Sequence, residues 1–180
     1  MVLTPLPVLF RVLVVIVSSV AGLIDLRTRR IPNWLAAAGL VAGFAARYYA
    51  EGAPGLLSAG EGMGLAVLIY FPLWLLRGMG AGDVKLMAAL GAIAGPLHWF
   101  LIFLASSILG AVAALFVAFR YGRFVSTLVT TLYLAKELIM FRAPWHSLPQ
   151  TDYRHKEALR IPHGTIIAAA VIVLALLRLL

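Results

Sequence analysis

The chain has 180 residues, of which 63% are hydrophobic and only 12% charged, and its mean hydropathy of +0.99 lies far above that of a soluble domain. Its formal net charge of +8 does not point to nucleic acid, because the 15 Lys and Arg lie between apolar runs and form no basic face interleaved with aromatics. The lack of cysteine excludes a disulfide framework, a thiol nucleophile and a Cys-ligated zinc.

The expected fold is all-α: a polytopic membrane protein of about six transmembrane helices, read as a single domain over residues 1–180, each helix near the roughly 20 residues that cross a hydrocarbon core. The first runs from about Pro7 to Ile24. A signal peptide cleaved near Ser19-Val20-Ala21 is the competing reading, but such a peptide starts basic and no Lys or Arg precedes Arg11. The second spans Trp34 to Tyr49, and the third runs from about Gly62 to Leu76 with Pro72 as a kink near its end. The fourth opens at Asp83 and reaches about Trp99, where Pro96 and His98-Trp99 mark a tight turn into a fifth that ends near Phe119. Between Phe124 and Phe141, Val125, Leu128, Val129, Leu132 and Ile139 gather on one face, and Ser126, Thr127, Thr130, Thr131 and Glu137 on another. That pattern predicts an amphipathic helix lying on the membrane between helices five and six, with a seventh span as the alternative. The last helix covers Thr165 to Leu180.

Basic residues cluster in alternate connections: Arg27, Arg29 and Arg30, then Arg77 and Lys85, then Arg120, Arg123, Arg142, Arg154, Lys156 and Arg160. Those connections are expected in the cytoplasm and both termini outside, with Arg47 at an outer helix end beside the belt-like Tyr48 and Tyr49. Asp25, closing the first helix, and Asp83, opening the fourth, then share one membrane depth. The plain reading of each is an interfacial ion pair, Asp25 with Arg27 and Asp83 with Lys85. Against it stands the run Gly78-Met79-Gly80-Ala81-Gly82 ahead of Asp83, whose glycines permit positive φ and close backbone approach. The same run also reads as a hinge with Asp83 as a helix cap.

Gly80-Ala81-Gly82-Asp83 resembles the G-x-G-D motif of intramembrane aspartyl proteases, and with Val84-Lys85-Leu86-Met87 it looks like the form found in type IV prepilin peptidases. Asp25 with Ile31-Pro32-Asn33 is similar to that family's first aspartate motif, and Arg160-Ile161-Pro162-His163-Gly164 to the signature that opens its final helix. His163 departs from the tyrosine usual there. Proline at a first helical turn is favoured on its own account, which is the plain reading of Pro32 and Pro162. The resemblance is nearest to the small peptidases of tight-adherence (Flp-type) pilus systems, which lack the N-methylating region of larger members.

The resemblance implies an endopeptidase with Asp25 and Asp83 as catalytic pair, and Gly80, Gly82, Lys85, Pro32, Asn33, Pro162 and Gly164 around the substrate. It further implies a prepilin or pseudopilin substrate, the bacterial inner membrane with a cytoplasm-facing site, and neither metal nor organic cofactor. His98, His146, His155 and His163 show no H-E-x-x-H spacing, which disfavours a metalloprotease, and each reads plainly as interfacial or loop. Two rival readings use the same residues: a small proton or cation transporter built on the two acids, and a non-catalytic membrane subunit of a secretion machine.

Overall fold

The computed structural model describes residues 5–75, 79–122, 129 and 162–180, and every regular element among them is a helix. They are α1 (Val8–Thr28), α2 (Asn33–Glu51), α3 (Ala53–Leu75), α4 (Ala81–Arg120) and α5 (His163–Leu176). Three of these are long and apolar enough to cross a membrane: α1, α3 and the 40-residue α4. α5 is apolar but has 14 residues, about 21 Å of helix. The expected amphipathic helix at 124–141 lies outside the described residues apart from Val129.

α1 ends where Arg29 takes the left-handed conformation (φ 54°) and returns its N–H to the Asp25 carbonyl at 2.9 Å. Pro32 and Pro162 stand at the N-caps of α2 and α5 in extended backbone, one position before the first helical residue, with carbonyls accepting from Leu35 and Ile166. Between α2 and α3 the reversal needs a single residue, Gly52, at φ 68°. α3 therefore starts at Ala53 and not near Gly62. The stretch of Pro54, Ser58, Gly60 and Glu61 that reads as loop is wound into its first turns, where Pro54 has no helical N–H to lose.

α4 does not run straight. Forty residues of straight helix would extend about 60 Å, twice a hydrocarbon core. Gly95 breaks it with φ 76° and ψ 170°, and Pro96 opens the continuation. The Trp99 indole N–H donates to the Met87 carbonyl at 3.0 Å across 12 residues, a bond that a straight helix, rising about 18 Å over that distance, forbids. α4 is thus a hairpin with arms 81–94 and 96–120.

Two compact units divide the chain. One, Met1–Gly110 with Pro162–Leu180, has its core along the first arm of α4, where Leu86, Met87, Leu90, Ala92 and Ile93 are fully enclosed. Small residues let neighbouring helices reach that arm: Gly39 and Gly43 of α2 lie against Ala89 and Ile93, and Gly62 of α3 crosses Gly91 backbone to backbone. α5 packs on α1, with Ala168 over Gly22 and the Thr165 hydroxyl donating to the Gly22 carbonyl at 3.1 Å. Tyr70 joins α3 to the second arm by edge contacts with Trp99 and Phe103 and a hydrogen bond with Ser106. Large apolar side chains such as Val8, Leu23, Val41 and Leu68 face outward, as lipid and not water as solvent requires. The other unit, Ala111–Ile161, contributes the end of α4 and a turn at Tyr121-Gly122 to the described residues.

Candidate active site

Asp25 lies in the last turn of α1 and is 7% exposed. Its Oδ2 accepts the Gly164 N–H at 2.9 Å across 139 residues of sequence. Gly164 is the second residue of α5, so its N–H is one of the donors that a helix leaves open at its start. A Cβ there would sit 3.1 Å from Asp25 Oδ2 and 3.1 Å from Ile31 Cδ1, so a glycine suits the position. This contact brings α5 against the acid of α1.

Asp83 lies in the first turn of α4. Its N–H donates to the Gly80 carbonyl at 3.1 Å, and its Oδ2 accepts the Gly80 N–H at 3.2 Å. The reciprocal pair closes the turn in the manner of a capping box. Gly78 lies outside the described residues, and at Gly80 and Gly82 positive φ plays no part. Close approach does: a Cβ on Gly82 would lie 3.1 Å from the Ile31 Cβ. Ile31 therefore touches both glycines, Gly82 of α4 and Gly164 of α5, and wedges two helix starts apart at a fixed spacing.

Lys85 does not pair with Asp83. Its ammonium donates to Asn33 Oδ1 at 2.8 Å and fastens the start of α4 to the start of α2. Pro32 and Pro162 act through the backbone, as caps. Asp25, Pro32, Asn33, Gly80, Gly82, Asp83, Lys85, Pro162 and Gly164 are thus all gathered at one end of this unit, although they come from four separate helix ends. The Asp83 carboxylate interacts electrostatically with Asp25 and with His163, and the Tyr70 hydroxyl also feels the charge of Asp83. Among the described residues, no three His, Asp or Glu side chains converge at metal-ligand spacing.

The type IV leader peptidase family matches this chain over residues 12–115. That stretch contains Asp25, Ile31-Pro32-Asn33, Gly80 to Asp83 and Lys85. The chain belongs to this family. No curated protein and no solved structure matches it. Within this leader peptidase, α5 lies beyond the matched stretch, yet it supplies the Gly164 N–H to Asp25.

Sequence reasoning missed three groups. His163 reads in sequence as a loop residue and Tyr70 carries no sequence signal, yet both interact electrostatically with Asp83. Arg47 reads as an interfacial residue, whereas its side chain is buried at the far end of the unit, where Arg47, Glu51, Ser58 and Gly95 line a cavity of about 320 Å³. None of the nine site residues expected from sequence borders that cavity. A charged residue a turn from a helix end, beside a glycine-rich partner helix, is the signal that could have found it.

Proposed function

We propose that this leader peptidase is an aspartyl endopeptidase, with Asp25 and Asp83 as the pair that activates water. The observation that carries the reading is that two acids 58 residues apart in sequence come to one end of a membrane bundle, where Ile31 touches both Gly82, next to Asp83, and Gly164, whose N–H holds Asp25, and where no Lys or Arg bridges to either acid among the described residues. Two carboxylates in mutual reach share a proton, so one is an acid while the other is a base, and the two titrate as a unit. The ionised member takes a proton from water as the water oxygen bonds to the scissile carbonyl carbon. The protonated member gives its proton to the carbonyl oxygen. As the C–N bond breaks, the leaving nitrogen takes the proton from the first carboxyl and the second carboxylate takes one back from a hydroxyl of the diol, so the dyad returns to its starting state. No metal or organic cofactor enters these steps.

The substrate class is the one that the family resemblance implies, and the site's place at the edge of the bundle suits it: a polar leader in the cytoplasm joined to an apolar helix in the bilayer, as in type IV prepilins and pseudopilins of the tight-adherence (Flp) kind. Counted as α1, α2, α3, the two arms of α4 and α5, the helices amount to the six spans that this reading uses, with the acids at the cytoplasmic face of a bacterial inner membrane.

Co-expression with the prepilin of the same genome tests it, with the pilin sized on a gel. Asp25→Asn and Asp83→Asn each keep the size and the hydrogen-bond acceptor but remove the shared proton, and cleavage is expected to fall by at least about 10²–10⁴-fold. Glu61→Gln, at an exposed acid of α3, is expected to cleave normally. Normal processing by a stably inserted Asp83→Asn protein would end the aspartyl reading.

A further inference from the structure

His163 is the residue at this end of the bundle that the dyad leaves unused. It is the first residue of α5, beside Gly164, whose N–H holds Asp25. It interacts electrostatically with Asp83. Its Nε2 is buried and has no hydrogen-bond partner among the described residues, a condition shared there only by Arg11 Nε near the other end of α1. Buried polar atoms are almost always satisfied, because leaving one unmet is costly, and an exception asks for a cause. A peptide substrate supplies one: it brings a carbonyl oxygen into the site, and a donor reserved for that oxygen stays empty until the peptide arrives.

We propose that His163 is a catalytic residue that binds the scissile peptide, its Nε2–H donating to the carbonyl oxygen on which negative charge develops. The proposal rests on the aspartyl reading above. In it the two carboxylates move protons, while His163 forms and breaks no covalent bond. It steadies the tetrahedral intermediate as a fixed donor does in acyl-transfer sites. A carbonyl oxygen accepts readily from both His163 and the protonated aspartate, since it has two lone pairs.

Two measurements on the full chain test this. In the first, prepilin cleavage kinetics are compared across variants. His163→Phe keeps an aromatic ring and removes the donor, so kcat is expected to fall about 10²-fold, with KM within about threefold. His163→Gln, which offers an amide N–H, is expected to recover at least about tenfold of that loss. In the second, the Asp83→Asn protein with ¹⁵N-labelled histidine is mixed with a synthetic peptide spanning the leader and first apolar residues of the prepilin. The Nε2 resonance of His163 is expected to move while that of His98 stays. A folded His163→Phe protein with wild-type kcat would overturn the proposal. So would an unmoved His163 resonance at saturating peptide, which decides the matter even where the Phe variant fails to fold. Should Asp25→Asn and Asp83→Asn prove inactive while His163→Phe cleaves normally, only this inference falls. Should the two aspartate variants cleave normally, both readings fall.

Discussion

Arg47 brings a full charge into an apolar interior, and its contacts explain why it stays. It is 6% exposed; its Nε donates to the Ile93 carbonyl at 3.1 Å, its Nη1 to both Glu51 oxygens at 2.9 and 3.0 Å, and its guanidinium stacks 4.2 Å over the Phe10 ring. The Ile93 carbonyl is one that the break at Gly95 frees from helical bonding, so Arg47 satisfies the end of the first α4 arm. Arg47→Met is expected to cost about 1–3 kcal/mol, because that carbonyl is then left buried without a donor. The loss is read from the thermal midpoint of the detergent-solubilised protein. Glu51 is 36% exposed, so Glu51→Gln is expected to cost less than about 1 kcal/mol. Equal losses would show that the ion pair, and not the Ile93 bond, holds the arm. Asp25 and Asp83 were legible in sequence because acids are scarce in apolar runs and both fall at helix ends of the same parity. Arg47 was not, since sequence gives the height of a residue along a helix but not the neighbour it faces.

At the scale of elements, close packing of glycines does what burial of apolar surface does in water, since lipid tails offer no hydrophobic drive between helices. α3 and α4 meet where Gly62 and Gly91 face each other, each with the other's backbone in the space a Cβ would need. Backbone cannot step aside as a side-chain tip does, so Gly91→Ala is expected to destabilise by about 1–3 kcal/mol. Gly64, two residues along α3, has open space around it, and Gly64→Ala is expected to be neutral or to stabilise by up to about 1 kcal/mol. Thermal unfolding of the two variants beside each other is the check, and an equal response would remove the crossing as a cause. The stripe of Gly91 and Gly95 reads from sequence as one packing surface. Gly91 serves that way, and Gly95, which also lies close to Gly62 and Ser58 of α3, in addition supplies the positive φ of the hairpin turn. The start of α3 was illegible for a related reason: Pro54, Gly60 and Glu61 signal loop locally, and the packing of Gly55 and Gly62 against neighbouring backbone outweighs that signal.

For the whole molecule, alternate clustering of basic residues already orders the helix ends into two sets, and the structure shares that order within its larger unit. Arg30 and Met79 belong with the end that holds the two acids, whereas Gly52 and Gly95 belong with the end that holds Arg47. The sequence divides residues 81–120 at Pro96 and His98-Trp99 into a fourth and a fifth helix, although apolar character is unbroken across them and glycine is common in membrane helices, so the choice between one long helix and two rests there on a turn signal alone. The Trp99 to Met87 bond decides it in favour of a hairpin, which in a membrane returns the chain to the side it left. Fusions of a reporter that works only in the cytoplasm put this to the test. Activity is expected after Arg30 and after Met79 and none after Gly52, as the basic clusters require. After Leu97, just past the hairpin turn, the reporter is expected to be silent, and a second reporter that works only outside the cytoplasm to be active. A silent reporter after Met79 would overturn the assignment of the acids to the cytoplasmic face. Cytoplasmic activity after Leu97 would mean that the first arm of α4 does not cross, which leaves Asp83 and the turn at Gly95 on one side of the bilayer.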